Sequence, residues 1–256
     1  MASVNNLTSS RVEPIQINVA IIVLARMNSS RFPRKSVCEI AGIPLISYIL
    51  HRLVPWAKLH NLEIIVAVED LITDFEIAEI SNVHRINCFD GKGFSPKERI
   101  ENILSGGKYD YFFRINGDSP FVDTDLLELA LSKVSNGNLE KPDFVTNLKP
   151  RTYPYGISVE LCNSTLFMRY SKSGHLIHSE NIFDPIYRDA KKIAMESIIL
   201  ENNSDLSSLH LTIDTPNDLD RINSILNGLE VFERRSATWR DIYASINPET
   251  YTEKED

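Results

Sequence analysis

The sequence predicts an α/β fold, a doubly wound and mostly parallel sheet with helices on both faces, and three observations carry this. Short apolar runs without polar alternation recur at Val19–Leu24, Ile64–Val68 and Tyr111–Ile115, as suits strands covered on both faces. Helical patterns alternate with them, including Leu45, Tyr48, Ile49 and Leu53 after Pro44, and Leu126, Leu127, Ala130, Leu131 and Val134. With 256 residues, 43% of them hydrophobic and 24% charged, the chain can bury a sizeable core. Such a strand–helix rhythm folds as one open sheet with right-handed crossovers.

In chain order, residues 1–16 are polar and lack the apolar stretch of a secretory signal, so they read as a loose leader. Residues 17–249 read as a single domain. The first strand, Val19–Leu24, runs into a loop at 25–35 that carries Arg26, Arg31, Arg34 and Lys35. In open α/β sheets ligands bind beyond the carboxyl ends of strands. A cationic loop there suits a polyphosphate, with arginine forks gripping oxygens and lysine acting as a point charge. A solvated basic loop is the other reading. GxxxxGK[ST] is absent, and no GxGxxG follows the first strand.

The strand Tyr111–Ile115 leads into Asn116-Gly117-Asp118-Ser119-Pro120. Gly117 permits a tight turn or close backbone approach. Asp118 at a strand's carboxyl end suits Mg²⁺, which prefers hard oxygen ligands and substrate phosphates. Locally the same residues also make an ordinary Asx turn. The helix that follows takes Asp123 or Thr124 as its N-cap.

The stretch 143–188 breaks the rhythm with Pro150, Pro154, Gly156 and Pro185, and reads as an excursion from the sheet containing a strand-like piece at Ile157–Leu161. Strand-like segments resume at Ile193–Met195 and Leu209–Ile213. The last of these meets Asp214-Thr215-Pro216-Asn217-Asp218. There Thr215 is an N-cap, Pro216 the first helical residue and Asp218 the third, as in a capping box. Asp214 is left over at the same carboxyl edge as Asp118. A helix at Trp239–Ile246 and a charged tail at 250–256 end the chain.

A net charge of −8 argues against a general nucleic-acid binder. The longest apolar run, Val19–Ala25, is far short of a membrane span. Cys38, Cys88 and Cys162 form no CxxC pair and fit reduced thiols in a cytoplasmic protein. His175 and His178 have HxxH spacing without further zinc ligands.

Four segments in this order, Ala-Arg-Met-Asn-Ser-Ser-Arg-Phe-Pro-Arg-Lys (25–35), Ile-Asn-Gly-Asp-Ser-Pro (115–120), Arg-Thr-Tyr-Pro-Tyr-Gly (151–156) and Ile-Asp-Thr-Pro-Asn-Asp-Leu (213–219), resemble the spore-coat polysaccharide cytidylyltransferase-like family. That family is a branch of the acylneuraminate and ketodeoxyoctonate cytidylyltransferases. The resemblance implies a nucleotide-diphospho-sugar transferase type of fold. It also implies transfer of CMP from CTP to an acidic sugar or related acceptor, Mg²⁺ as cofactor, and a homodimer in which 143–188 reaches the partner.

Carried onto this chain, the resemblance puts Ala25, Arg26, Asn28, Ser29, Arg31, Lys35, Arg99, Asn116 and Gly117 at the nucleotide. Asp118 and Asp214 become the Mg²⁺ ligands, acting with Lys35 and Arg26 in catalysis. Arg151, Tyr153, Tyr155, Glu160 and His178 face the acceptor. Arg34 and Asn28 stand where the family usually has glycine, Ser158 where it has Asp, and His210 where it has Arg. The segment 70–98 is short and diverged. A glycosyltransferase that consumes a nucleotide-sugar, and a catalytically silent homologue acting as a binding subunit, are the competing readings.

Overall fold

The computed structural model describes residues 17–135, 140–172, 181–201 and 204–246. Strand β1 (Val19–Leu24) lies inside the sheet, between the strands at Glu63–Val68 and Tyr111–Asn116. Its odd-numbered residues Val19, Ile21 and Val23 pack into one core layer, while Ala20 and Ile22 pack into another. This two-sided burial is why the run carries no polar alternation. A small hairpin, β2 (Glu39–Ile40) with β3 (Ile43–Pro44), precedes α1 (Leu45–Leu59). Then come β4 (Glu63–Val68), α2 (Phe75–Val83), β5 (Asn87–Asp90) and α3 (Pro96–Leu104). The diverged stretch 70–98 thus holds regular structure. Helix α3 starts at Pro96 behind a Ser95–Glu98 capping box, a start signal present in the sequence.

Strand β6 (Tyr111–Asn116) and α4 (Thr124–Val134) follow, with Asp123 as the cap of α4, accepting from the Asp125 and Leu126 N–H groups. Next are β7 (Phe144–Thr146), β8 (Glu160–Asn163), α5 (Ser164–Lys172), α6 (Asp184–Arg188), β9 (Met195–Ser197), α7 (Pro216–Asn227) and α8 (Trp239–Ile246). The main sheet has seven strands in the order β5-β4-β1-β6-β8-β7-β9. All its pairings are parallel except the two made by β8.

The stretch 143–188 is not wholly outside the sheet: it supplies β7 and β8, with a long loop between them and α5 and α6 after them. Pro150, Pro154 and Gly156 lie in the loop between those strands, and Pro185 is in the first turn of α6. Strand β8 begins at Glu160, three residues later than the apolar pattern suggests. Residues 209–213 form no regular strand and hold the loop through a bridge between Tyr155 and His210. These strands are too short, at three or four residues, for a period to distinguish them from loop.

The chain order places the site. From β1 the chain moves to β4 and β5 on one side, then returns to β6 on the other. The register sets Leu24 against Asn116, so β1 and β6 end level. A crevice opens at such a reversal of strand order. Gly117 closes its floor: its N–H donates to the Leu24 carbonyl at 2.9 Å. A Cβ there would sit 2.8 Å from that carbonyl oxygen. Gly156, at φ +102°, lets its loop lie against Leu211 and Thr212, two residues before Asp214.

Candidate active site

The cationic loop is pinned from below. Buried Asp74, the residue before α2, accepts the Met27 N–H at 2.7 Å, the Glu69 N–H at 2.8 Å and the Asp70 N–H at 3.1 Å. One carboxylate thus ties the loop after β1 to the loop after β4. The Ser36 hydroxyl donates to the Arg26 carbonyl at 3.0 Å, and the Arg34 N–H to the Met27 carbonyl at 2.8 Å. Arg34 adopts φ +64°, the left-handed region that glycine fills without cost. Its guanidinium grips Glu76 of α2 with two bonds of 2.8 and 2.7 Å, away from the crevice. Asp74 was not legible as a loop clamp in the sequence. Its only signal was a carboxylate one residue before a helix.

Lys35 turns inward. Its ammonium lies 3.0 Å from Asp118 Oδ2 and 3.1 Å from Asp214 Oδ1. Arg31 reaches the same Asp214 oxygen at 2.9 Å. The two segments that carry the carboxylates are joined by backbone, the Ile213 N–H donating to the Asp118 carbonyl at 2.9 Å. Asp214 stays available because Thr215, Pro216 and Asp218 start α7 as the expected capping box. The Ser119 hydroxyl donates to Asp118 Oδ1 at 3.1 Å.

These groups edge a cleft of about 330 Å³. Ala25, Arg26, Ser29, Arg31 and Lys35 line one wall, and Asn116, Gly117, Asp118 and Asp214 line the other. Asn28 is exposed and lies outside it. Arg26 is exposed and 3.5 Å from Glu69. Arg99 reaches the cleft from α3 but is 98% buried, its Nη1 donating to the Ala67 carbonyl at 2.7 Å and the Ala25 carbonyl at 3.3 Å. Burial pushes its pKa down. It braces the ends of β1 and β4 as well as lining the cleft.

The expected acceptor residues divide. Glu160 is buried and closed off. It accepts the Arg114 Nε–H at 2.6 Å and the Tyr187 hydroxyl at 2.7 Å, and pairs with Arg114 Nη2. It therefore faces a side chain, not the cleft, because its place in β8 is directly beside β6. Tyr153 packs in the core edge-on to Trp239. Arg151 lies over the ring of half-exposed Tyr155, which stacks on His210 at 4.9 Å. His178 lies outside the described residues. Sequence reasoning missed Arg114, which lines the cleft. Its signal was a charge inside an apolar strand.

Burial raises Cys38 and Cys88 to about 11 and Cys162 well above its usual value. None of the three is a ready thiolate nucleophile.

The arrangement combines anion-gripping cations with two converging carboxylates at a strand-order reversal, which suits chemistry on a polyphosphate. A profile of the cytidylyltransferase family matches residues 20–235. The chain belongs to the cytidylyltransferase family. Within it, the chain is 23% identical over 245 residues to the spore coat polysaccharide biosynthesis protein SpsF of Bacillus subtilis, spanning 93% of this chain and 98% of that protein. It is 24% identical over 252 residues to a 3-deoxy-manno-octulosonate cytidylyltransferase of Rhizobium etli, spanning 82% of this chain and 96% of that one. A solved cytidylyltransferase from Leptospira borgpetersenii superposes with a TM-score of 0.76 at 21% identity, over 94% of this chain and 99% of that one. A CMP:2-keto-3-deoxy-manno-octonic acid synthetase solved with CTP gives 0.60 at 15% identity, over 82% and 99%. These structural likenesses are of fold. Membership makes the protein an enzyme, a nucleotidyltransferase.

The carboxylate pair fits the metal such an enzyme would take. Asp118 Oδ2 and Asp214 Oδ1 already converge on one cation, the Lys35 ammonium. Mg²⁺ commonly takes one or two carboxylates and completes its shell with substrate phosphates and water. Among the described residues no group of three or more His, Cys, Asp or Glu forms an all-protein cage. No helix among them is long and apolar enough to cross a membrane.

Proposed function

We propose that this cytidylyltransferase moves CMP from CTP to an acidic sugar or related acceptor, with Mg²⁺, and releases pyrophosphate. The observation that carries the reading is the meeting of Lys35 with both Asp118 and Asp214 at the mouth of a cleft walled by the 25–35 loop. Arg26 and Arg31 grip the triphosphate, with Ser29 and the loop's backbone adding donors. Gly117 lets the nucleotide approach the β6 turn, and Asn116 donates to its ribose or to the acceptor.

In the transfer an acceptor oxygen attacks the α-phosphorus in line. Its hydroxyl proton passes to solvent water as the new P–O bond forms, and the bond to the β-phosphate bridge breaks, releasing pyrophosphate. Asp118 and Asp214 would hold Mg²⁺, which would neutralise phosphate charge as a Lewis acid. Lys35 moves from the carboxylates toward the departing pyrophosphate, where negative charge grows most. Its four-carbon stem permits that swing without backbone motion.

The test is CTP-dependent pyrophosphate release across a panel of acidic sugars, alongside thermal shifts with CTP, UTP, GTP and ATP in Mg²⁺. We expect CTP alone to raise the midpoint strongly and at least one carboxylate sugar to release pyrophosphate. A midpoint raised by a nucleotide-sugar, without pyrophosphate release, would make the protein a glycosyltransferase instead. The same reading takes residues 17–249 as one catalytic unit in a cytoplasmic homodimer with a two-fold contact. Light scattering showing a fully active monomer at micromolar concentration would refute the dimer.

A further inference from the structure

Arg114 is placed by three features. It shares a face of β6 with Asn116, since alternate strand residues point the same way, and Asp118 follows in the turn after that strand. It lines the cleft, yet its side chain is only 11% exposed. Its guanidinium is held rigidly: Nε and Nη2 bond to Glu160, and Nη1 donates to Asn116 Oδ1 at 3.0 Å. Glu160, 1% exposed, is fixed in turn by the Tyr187 hydroxyl, which lies 2.8 Å from the Thr146 hydroxyl. The Phe183 ring lies 5.5 Å from the guanidinium carbon.

A guanidinium has five N–H donors in a planar fork. The contacts to Glu160 and Asn116 commit three of them. The two that remain, one on each terminal nitrogen, form the edge suited to two oxygens of one planar group.

The 25–35 loop already brings Arg26, Arg31 and Lys35 to the cleft for the triphosphate, so the Arg114 edge is left for a different anionic group.

We propose that Arg114 determines acceptor specificity: its terminal edge receives the carboxylate of the acidic sugar, and Glu160 and Tyr187 hold the fork in that plane. This rests on the acidic-acceptor reading above. The substrate's carboxylate is read on β6, and Asp118 lies in the turn that leaves the same strand, so recognition and transfer sit close along one stretch of chain. Glu160 acts through Arg114 as a positioning residue.

The experiment uses the full chain with Arg114→Lys, which keeps the charge but not the fork, and with the neutral double variant Arg114→Gln/Glu160→Gln, which leaves no buried charge unpaired. Acceptors are 3-deoxy-manno-octulosonate, other carboxylate sugars of the panel, and the carboxamide of whichever acid the wild type uses best. We expect acceptor KM to rise at least tenfold in both variants, with kcat and the directly measured CTP Kd changed less than about threefold. The preference for carboxylate over carboxamide should fall at least tenfold.

If wild type uses a carboxylate sugar and both variants keep its KM and its preference, Arg114 does not read the carboxylate. If the CTP Kd moves and the acceptor KM does not, Arg114 serves the nucleotide and the inference is wrong. If wild type releases pyrophosphate only with uncharged acceptors, the acidic-acceptor reading fails first and this inference with it.

Discussion

The Lys35 ammonium stands 3.0 Å from Asp118 and 3.1 Å from Asp214, joining residues 83 and 179 positions away. Two carboxylates, one after β6 and one before α7, that would otherwise set like charges together are neutralised by a side chain of the first loop. Lys35→Met keeps much of the apolar stem and removes the charge. Its kcat should fall by about 10²-fold or more, the size expected for one contact to developing charge. The CTP Kd should rise less, since Arg26 and Arg31 remain. Asp118→Asn and Asp214→Asn should each abolish turnover with an unchanged circular-dichroism spectrum. Near-normal activity of either at limiting Mg²⁺ would remove it from the metal site.

Asp74 organises the loop without reaching the cleft. It satisfies three backbone N–H groups from two loops while itself buried. Asp74→Ala leaves those donors to water or to nothing, and should cost about 3 kcal/mol of stability in urea unfolding. The KM for CTP should rise with it, because the Met27 segment carries Arg26 and Ser29. A variant of wild-type stability with an unchanged KM would show that the loop holds its shape without this clamp.

Arg34 combines a left-handed backbone with an exposed ion pair to Glu76. Glycine at this position relieves the left-handed backbone strain and forfeits only a solvent-exposed ion pair. Arg34→Gly should therefore leave stability within about 1 kcal/mol of wild type, and kcat/KM for CTP nearly unchanged. If it cripples turnover while Lys35→Met does not, Arg34 is the phosphate ligand.

His51 and His84 form an edge-on pair at 4.9 Å, and the Ser47 hydroxyl lies 2.8 Å from His84 Nε2. Both pKa values are lowered, first by burial. Arg235 and Arg52 add to this for His51, and His51 itself adds to it for His84. A lowered histidine pKa means that the unfolded chain takes up protons first. Stability is full above the unfolded value of about 6.5 and falls as pH drops below it. Thermal midpoints at pH 7.5 and 5.5 should differ more for wild type than for His84→Gln. Equal differences would mean that the acid loss comes from elsewhere.

The sequence by itself determined the parallel core strands, because burial on both faces leaves an apolar run that local reading detects at β1, β4 and β6. It also determined the cationic loop, the two aspartates and the capping box of α7, since each is local chemistry at a strand or helix end. Family resemblance added the nucleotide and metal roles, which remain proposals for this chain.

Only the tertiary structure decided which of these groups meet. That Lys35 spans Asp118 and Asp214 depends on the level ends of β1 and β6 and on the loop at Gly156. These are pairings across long chain separations that no local pattern encodes. The same reason moved Glu160 from substrate contact to brace: lying in β8 beside β6, it meets Arg114 first. Arg34 was diverted to Glu76 because α2 packs against the loop. A side chain's type sets what it can bind, but its partner is set by whichever strand the sheet places beside it.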